Sequence, residues 1–371
     1  MCGNNTEPSG NIGMTVTPST QAPGRSSGNR SSPGTDRQTW TVGEPEAKHK
    51  AAASRVVLLL AIATLPPLLL TGLAFDPAMA GVTFFGIMVG LITALMSGSK
   101  VATTSALIIT LLGPVAVVAG LVPAAGAALM ALACIGVGIT AGWGVHKGTA
   151  MVLLGLSYLM VDPPGATAAD RLDNAYIATV LVALALGAFW PALIVPRMLK
   201  GHTLARPERN SRADTIEYLS VITTTCTLAT WGVLTWAPES NASWLLLTLI
   251  VVVQVGPQAT VSKTVQRVGG TVLGGAAAAA VVTVGPPNSV LVVLGLVALA
   301  LALWTVTGSR YWLYSSFLTA AIVLLSGADD PVAVDSARVG YTVLGGLLAL
   351  GAILVSGWIR QFITSRPPKP A

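Results

Sequence analysis

Lys263 and Arg267 stand four residues apart, followed by Gly270, Thr271 and Gly274, in an otherwise apolar stretch. At that spacing the two cations share one face of a helix. Fixed positive charges beside a hydroxyl can attract and hold a carboxylate or another small anion. Gly270 and Gly274, also four apart, let a neighbouring helix approach closely, and Thr271 lies on that seam. Upstream, Trp244 anchors one end of an apolar run and Gln254 puts an amide near the other. Gly256-Pro257 then breaks the helix. Two readings of the cations stand open at this level. They anchor a helix end at a membrane surface, or they line a vestibule that draws in an organic anion.

Other residues add chemistry to this core. Tyr311, Trp312, Tyr314 and Phe317 form an aromatic cluster at a predicted helix end. Such residues belong either to an interfacial belt or to a stacking surface for an aromatic substrate. Asp162 and Asp330, each followed by Pro, are the carboxylates best placed for proton coupling. The bland alternative makes them solvated loop charges. Lys100 repeats the Ser-Lys dipeptide of Ser262-Lys263. Enzymatic chemistry finds little support. No Lys follows a Gly, so there is no phosphate-binding P-loop. The three His (His49, His146, His202) lie at or beyond the predicted cytoplasmic edge of the membrane, and no His/Cys spacing suits a metal. Cys134 and Cys226 read as small apolar packing residues. Neither cofactor nor metal is expected.

The elements that must position these residues follow from where charge is missing. Of 371 residues 53% are apolar and 10% charged, with a mean hydropathy of +0.72. A soluble domain carries about 25% charged residues, so these values exclude a water-soluble fold and a disulfide scaffold. The pI of 9.4 reflects loop cations rather than a nucleic-acid surface. Residues 1–50, half of them Gly, Pro, Ser or Thr, form a disordered tail in this reading. Beyond Arg55, charged residues or His fence off uncharged stretches of 20, 23, 45, 14 and 23 residues, and after Glu217 stretches of 21, 23, 42, 18 and 21. A spanning helix needs about 20 residues. The two long stretches each hold a pair, turning at Gly120-Leu121-Val122-Pro123 and at Gly285-Pro286-Pro287-Asn288.

The two series match, and landmarks recur with a period of about 165. Ser99-Lys100 returns as Ser262-Lys263, Tyr176 as Tyr341 and Asp162-Pro163 as Asp330-Pro331. The sequence therefore predicts an all-α membrane protein of about twelve transmembrane helices, built as two parallel six-helix repeats. The repeats span 51–196 and 215–362, joined by a 197–214 linker and followed by a 363–371 tail. All but two of the 21 Lys and Arg fall on one side, leaving Arg171 and Arg338 with the acidic loops. By the positive-inside rule both termini and the linker are cytoplasmic.

The stretch from Trp244 through Gln254 to Arg267-x-x-Gly270-Thr271-x-x-Gly274 resembles the core motif of the fusaric acid resistance family, a group of aromatic acid exporter-like integral membrane proteins. The segment from Val255-Gly256 to Gly274 is also similar to the plant aluminium-activated malate transporters. Tyr311 to Leu325, Arg338 and Tyr341-Thr342-Val343-Leu344-Gly345 extend the likeness over roughly 240–360. In the first half it is architectural: Lys100 has its counterpart, but Thr104 stands near the position of Arg267. The resemblance implies export of small organic, often aromatic, acids, commonly driven by the proton gradient. It assigns the substrate path to Gln254, Lys263, Arg267, Thr271 and Lys100, with Gly270 and Gly274 in helix packing. The expected setting is a bacterial plasma membrane, the partners being the bilayer and a small organic anion, without nucleic acid. A homo-oligomer is left open. A passive organic-anion channel and a non-transporting membrane scaffold are the alternatives.

Overall fold

A computed structural model describes residues 44–75, 78–199, 208–238, 241–305, 310–325 and 331–364. The chain divides into two compact units, Met1–Ala51 and Ala52–Ala371. Of the first, only 44–51 are described, as part of helix α1 (Glu44–Ala74). That helix starts inside the stretch read from sequence as tail. Residues 1–43, residues 200–207 of the linker and 365–371 of the C-terminal tail lie outside the described residues.

The described residues are all-helical, without strands. After α1 come α2 (Met79–Ser97), α3 (Ser99–Ala119), α4 (Pro123–Ala141), α5 (His146–Val161) and α6 (Asn174–Met198). Then follow α7 (Arg212–Trp236), α8 (Ser243–Val252), α9 (Pro257–Thr283), α10 (Asn288–Thr305), α11 (Tyr311–Leu325) and α12 (Pro331–Thr364). A 3-10 turn, Asp170–Leu172, precedes α6. Among the described residues six helices are long and apolar enough to cross a membrane: α2, α3, α4, α6, α9 and the 336–362 part of α12. Four others are apolar but shorter.

The breaks sit where the sequence removes helical backbone bonding. Both predicted long-stretch turns appear, between α3 and α4 and between α9 and α10. Pro123 opens α4, where its missing N–H costs nothing. Asp173 accepts the Ala175 N–H ahead of α6, and Ser211 accepts the Asp214 N–H at the start of α7.

The eighth helix departs from expectation. The sequence allowed a full span between Glu239 and Lys263, yet α8 has ten residues. At 1.5 Å per residue it covers about 15 Å, half a bilayer core. Residues 253–256 then leave the helix, Gly256 turning at φ 93° before Pro257 opens α9. A half-length helix is tolerated at membrane depth only when protein surrounds it. Nearly every residue of α8 is buried, as that rule requires.

Five helix pairings of the first half recur in the second, while α2 also packs on α5. In the first half α2 and α3 each pack on α6, α2 on α3, and α3 and α4 each on α5. In the second, α8 and α9 each pack on α12, α8 on α9, and α9 and α10 each on α11. Between the halves α4 lies on α7 and α5 on α8. The main apolar core gathers side chains from the first half with α7, α8 and Ala349 of α12. Ala278, Val323 and Leu324 form a separate small core among α9 and α11.

Candidate anion path

The residues where α9 and α11 meet α8 and α12 are polar. Buried hydroxyls at Thr248, Thr260, Thr264, Thr271, Ser315, Thr319 and Thr342 mark this seam, and two arginines join it. The seam begins at the start of α9. There Gln254 closes the helix break locally, its side-chain amide donating to Val251 O at 2.9 Å and Val253 O at 3.1 Å. Thr260 Oγ1 accepts the Gln254 N–H at 2.9 Å. Gln254 is thus committed to holding the unwound segment in place.

Lys263 lies nearly two turns into α9, its Nζ 3.4 Å from the centre of the Tyr311 ring. Such a contact holds an ammonium by the negative face of the ring. Lys147 at the start of α5 and Arg267 on α9 both interact with the Lys263 charge. Exposure falls along this series: Lys147 is exposed, Lys263 half-buried and Arg267 only 4% exposed. Helix α5 belongs to the first half and α9 to the second, so both contribute to one cationic ladder.

Arg267 is the chemically significant member. Its Nε is buried without a hydrogen-bond partner, and no carboxylate pairs with it among the described residues. Its backbone carbonyl accepts from Ser315 Oγ at 3.2 Å, and Ser315 Oγ also meets Thr271 Oγ1 at 3.3 Å. A guanidinium withdrawn from water without a counter-charge is costly. An anion bound at its side would offset that cost.

Arg338 lies further along the seam. The sequence placed it in a loop on the acidic side, but α12 starts at Pro331 and carries it inside the helix. Among the described residues it is the largest fully buried side chain, 1% exposed. Its guanidinium stacks 3.9 Å from the Trp244 ring centre, and Nη2 donates to Thr319 Oγ1 at 3.4 Å. From sequence Trp244 reads as a belt anchor. Here it forms a platform under a buried cation. Tyr314 interacts with the charges of both Arg267 and Arg338. Its ring centre is 5.7 Å from that of Tyr311.

The aromatic cluster is therefore divided. Tyr311 and Tyr314 line the ladder, whereas Trp312 is 39% exposed. Phe317 is half-buried. Gly270 and Gly274 put α9 against the backbone of α11 at Trp312 and Ser316. Lys100 does not join the ladder. It is exposed at the start of α3, beside the end of α6. Asp330 lies outside the described residues, as do Asp329 and Glu239.

Asp162 follows the last residue of α5. Its Oδ2 is buried without a partner, while Ser243 (through its hydroxyl and backbone N–H) and Asn241 hydrogen-bond the carboxylate. The first half thereby caps the start of α8, one residue before Trp244. Arg171 is buried beside it and donates to Met160 O and Val161 O, each at 3.4 Å. Burial raises the Asp162 carboxyl above its ordinary value, the hydrogen bonds and Arg171 acting the other way. The folded protein thus keeps that proton to higher pH than the unfolded chain. The resulting stability is complete below the ordinary carboxylate range and is lost as pH climbs through the raised value. Asp162→Asn, neutral at every pH, is expected to flatten this acidic limb in melting curves taken against pH. An unchanged slope would assign the titration to another group.

Sequence reasoning passed over Arg338, Ser315, Thr319 and Lys147. A signal for Arg338 was present: it and Arg171 are the two cations on the acidic side, about 165 residues apart. Taken together, the apolar helices, the half-length α8 buried in protein and the buried cations define a multi-pass helical membrane protein. A model of the family described as fusaric acid resistance protein-like matches residues 228–352, from within α7 to within α12. That segment, which holds the whole seam, is similar to the fusaric acid resistance family. No curated protein and no solved structure matches the chain.

Proposed function

We propose that this protein exports small organic anions, aromatic or amphipathic, through the seam in its second half. The supporting observation is Arg267: buried, cationic and without a counter-charge among the described residues. Lys147 and Lys263 collect the anion at the entrance, and Arg267 holds it against Tyr314 and the Ser315–Thr271 hydroxyls. Arg338 on Trp244 receives it next. The paired helix contacts favour two parallel six-helix repeats and twelve crossings, with α8 completed by its unwound continuation. The distribution of Lys and Arg favours cytoplasmic termini in a bacterial inner membrane.

On this reading the membrane potential is a sufficient drive. With the interior negative, moving one negative charge outward is favoured by about 2.3 kcal/mol per 100 mV. The test is efflux of preloaded aromatic carboxylates from energised cells with and without the protein. Valinomycin with potassium collapses the potential and nigericin the pH gradient. Protein-dependent efflux lost with the potential alone is the expected result. Loss with the pH gradient alone would transfer the drive to proton coupling through Asp162 or Asp330. Flux that never saturates would make the protein a channel. No protein-dependent efflux of any acid would overturn the transport reading in favour of a scaffold.

A further inference from the structure

The ends of α3 and α6 enclose an open groove of about 760 Å³ that the anion path does not use. Lys100 and Arg197 line it with Ser99, Thr103, Thr104 and Leu193, and among the described residues no acidic side chain does. Thr103 Oγ1 donates to Ser99 O and Thr104 Oγ1 to Lys100 O, each at 3.0 Å. With those protons committed, the two hydroxyls offer the groove acceptor lone pairs only. The site thus combines two cations for a phosphate with acceptors for a ligand that carries its own hydroxyls. Further along α3, Leu107, Ile108 and Leu111 are exposed, which gives the groove an apolar continuation. A phosphate, hydroxyls beside it and a long apolar tail are the parts of an anionic phospholipid.

Comparison with the second half sharpens the assignment. Lys263, the sequence counterpart of Lys100, leans on Tyr311 and is followed one turn later by Arg267. Lys100 is followed by Thr104, and its groove opens outward beside exposed Leu193. The same Ser-Lys position serves the path in one half and faces the lipid in the other. We propose that the α3–α6 groove binds the glycerol-phosphate headgroup of an anionic phospholipid such as phosphatidylglycerol, its acyl chain lying along α3. Basic pockets between membrane helices hold such headgroups by surface charge.

The test uses the full chain in nanodiscs of phosphatidylcholine mixed with phosphatidylglycerol, with retained lipid counted by native mass spectrometry. The wild type is expected to keep phosphatidylglycerol in preference to phosphatidylcholine. Lys100→Gln combined with Arg197→Gln should cut that preference by roughly tenfold or more. Arg209→Gln, at an exposed cation before α7, should leave it intact. Unchanged preference in the double variant would overturn the proposal. So would an equal loss in Arg209→Gln, which would mean general surface charge. Displacement of the lipid by free glycerol 3-phosphate would also overturn it, making the groove a soluble phosphate-ester site. None of these readings depends on transport, so a failure here is distinct from a failure of the export function.

Discussion

Replacing Arg267 by Met is expected to cut anion efflux by roughly ten- to a hundredfold while making the protein more stable. These opposite signs follow from the isolation of the guanidinium. A charge-assisted hydrogen bond contributes about 1.5–3 kcal/mol. Losing it from the transported complex corresponds to a fall in substrate affinity of roughly ten- to a hundredfold. The empty protein gains instead. Met refills most of the volume and removes a buried charge with no counter-charge among the described residues. Well-packed apolar replacement of buried charge is often stabilising by ~1–4 kcal/mol. Melting of the detergent-solubilised protein and efflux from cells measure the two arms. A Met variant that melts lower than the wild type would show that Arg267 is already satisfied within the fold. One that exports normally would remove it from the path. Arg267→Lys keeps the charge but not the planar fork, and should retain partial efflux.

The second large effect concerns adjacent glycines of α9. Gly274→Leu should strip α9 from α11, because any Cβ at 274 runs into the backbone of Ser316. Backbone cannot yield as a side-chain tip does, so overpacking here costs at least ~1–3 kcal/mol. Gly270 meets Trp312 O in the same way. Gly269, one residue earlier, has nothing within 4 Å of the Cβ position and is exposed. Gly269→Ala should therefore be neutral, or stabilising by the roughly 0.5–1 kcal/mol that alanine gains over glycine in a helix. Because Ser315 links Arg267 to Thr271 across this contact, Gly274→Leu should also lose efflux. Thermal melting of the three proteins side by side is the measurement. Equal melting of Gly274→Leu and the wild type would refute the packing of α9 on α11.

Reading these residues from sequence succeeded where the signal was local. The four-residue spacing of Lys263 and Arg267 and of Gly270 and Gly274 fixes their faces once α9 is a helix. Gly256-Pro257 marks a break whatever surrounds it. The helix turns at 120–123 and 285–288 were legible because Gly and Pro remove backbone bonding there. Arg338 was not legible, because a charge near a helix end reads the same in a loop or in a core. Its burial depends on Trp244 and Thr319, which come from two other helices. Lys100 and Lys263 look alike in sequence, and only their neighbours in space separate them.

The sequence by itself determined the solvent, the helical class and the family likeness. Each rests on local composition: too few charges for water, apolar stretches of helical length, and a motif of fixed spacing. The tertiary structure alone decided which cations are withdrawn from water and which stay exposed. It ended α8 after ten residues, brought Lys147 of the first half to the α9 ladder, and sent Lys100 to a separate groove. The physical reason is that the cost of a charge is set by the atoms around it, and those atoms come from helices far apart in the chain.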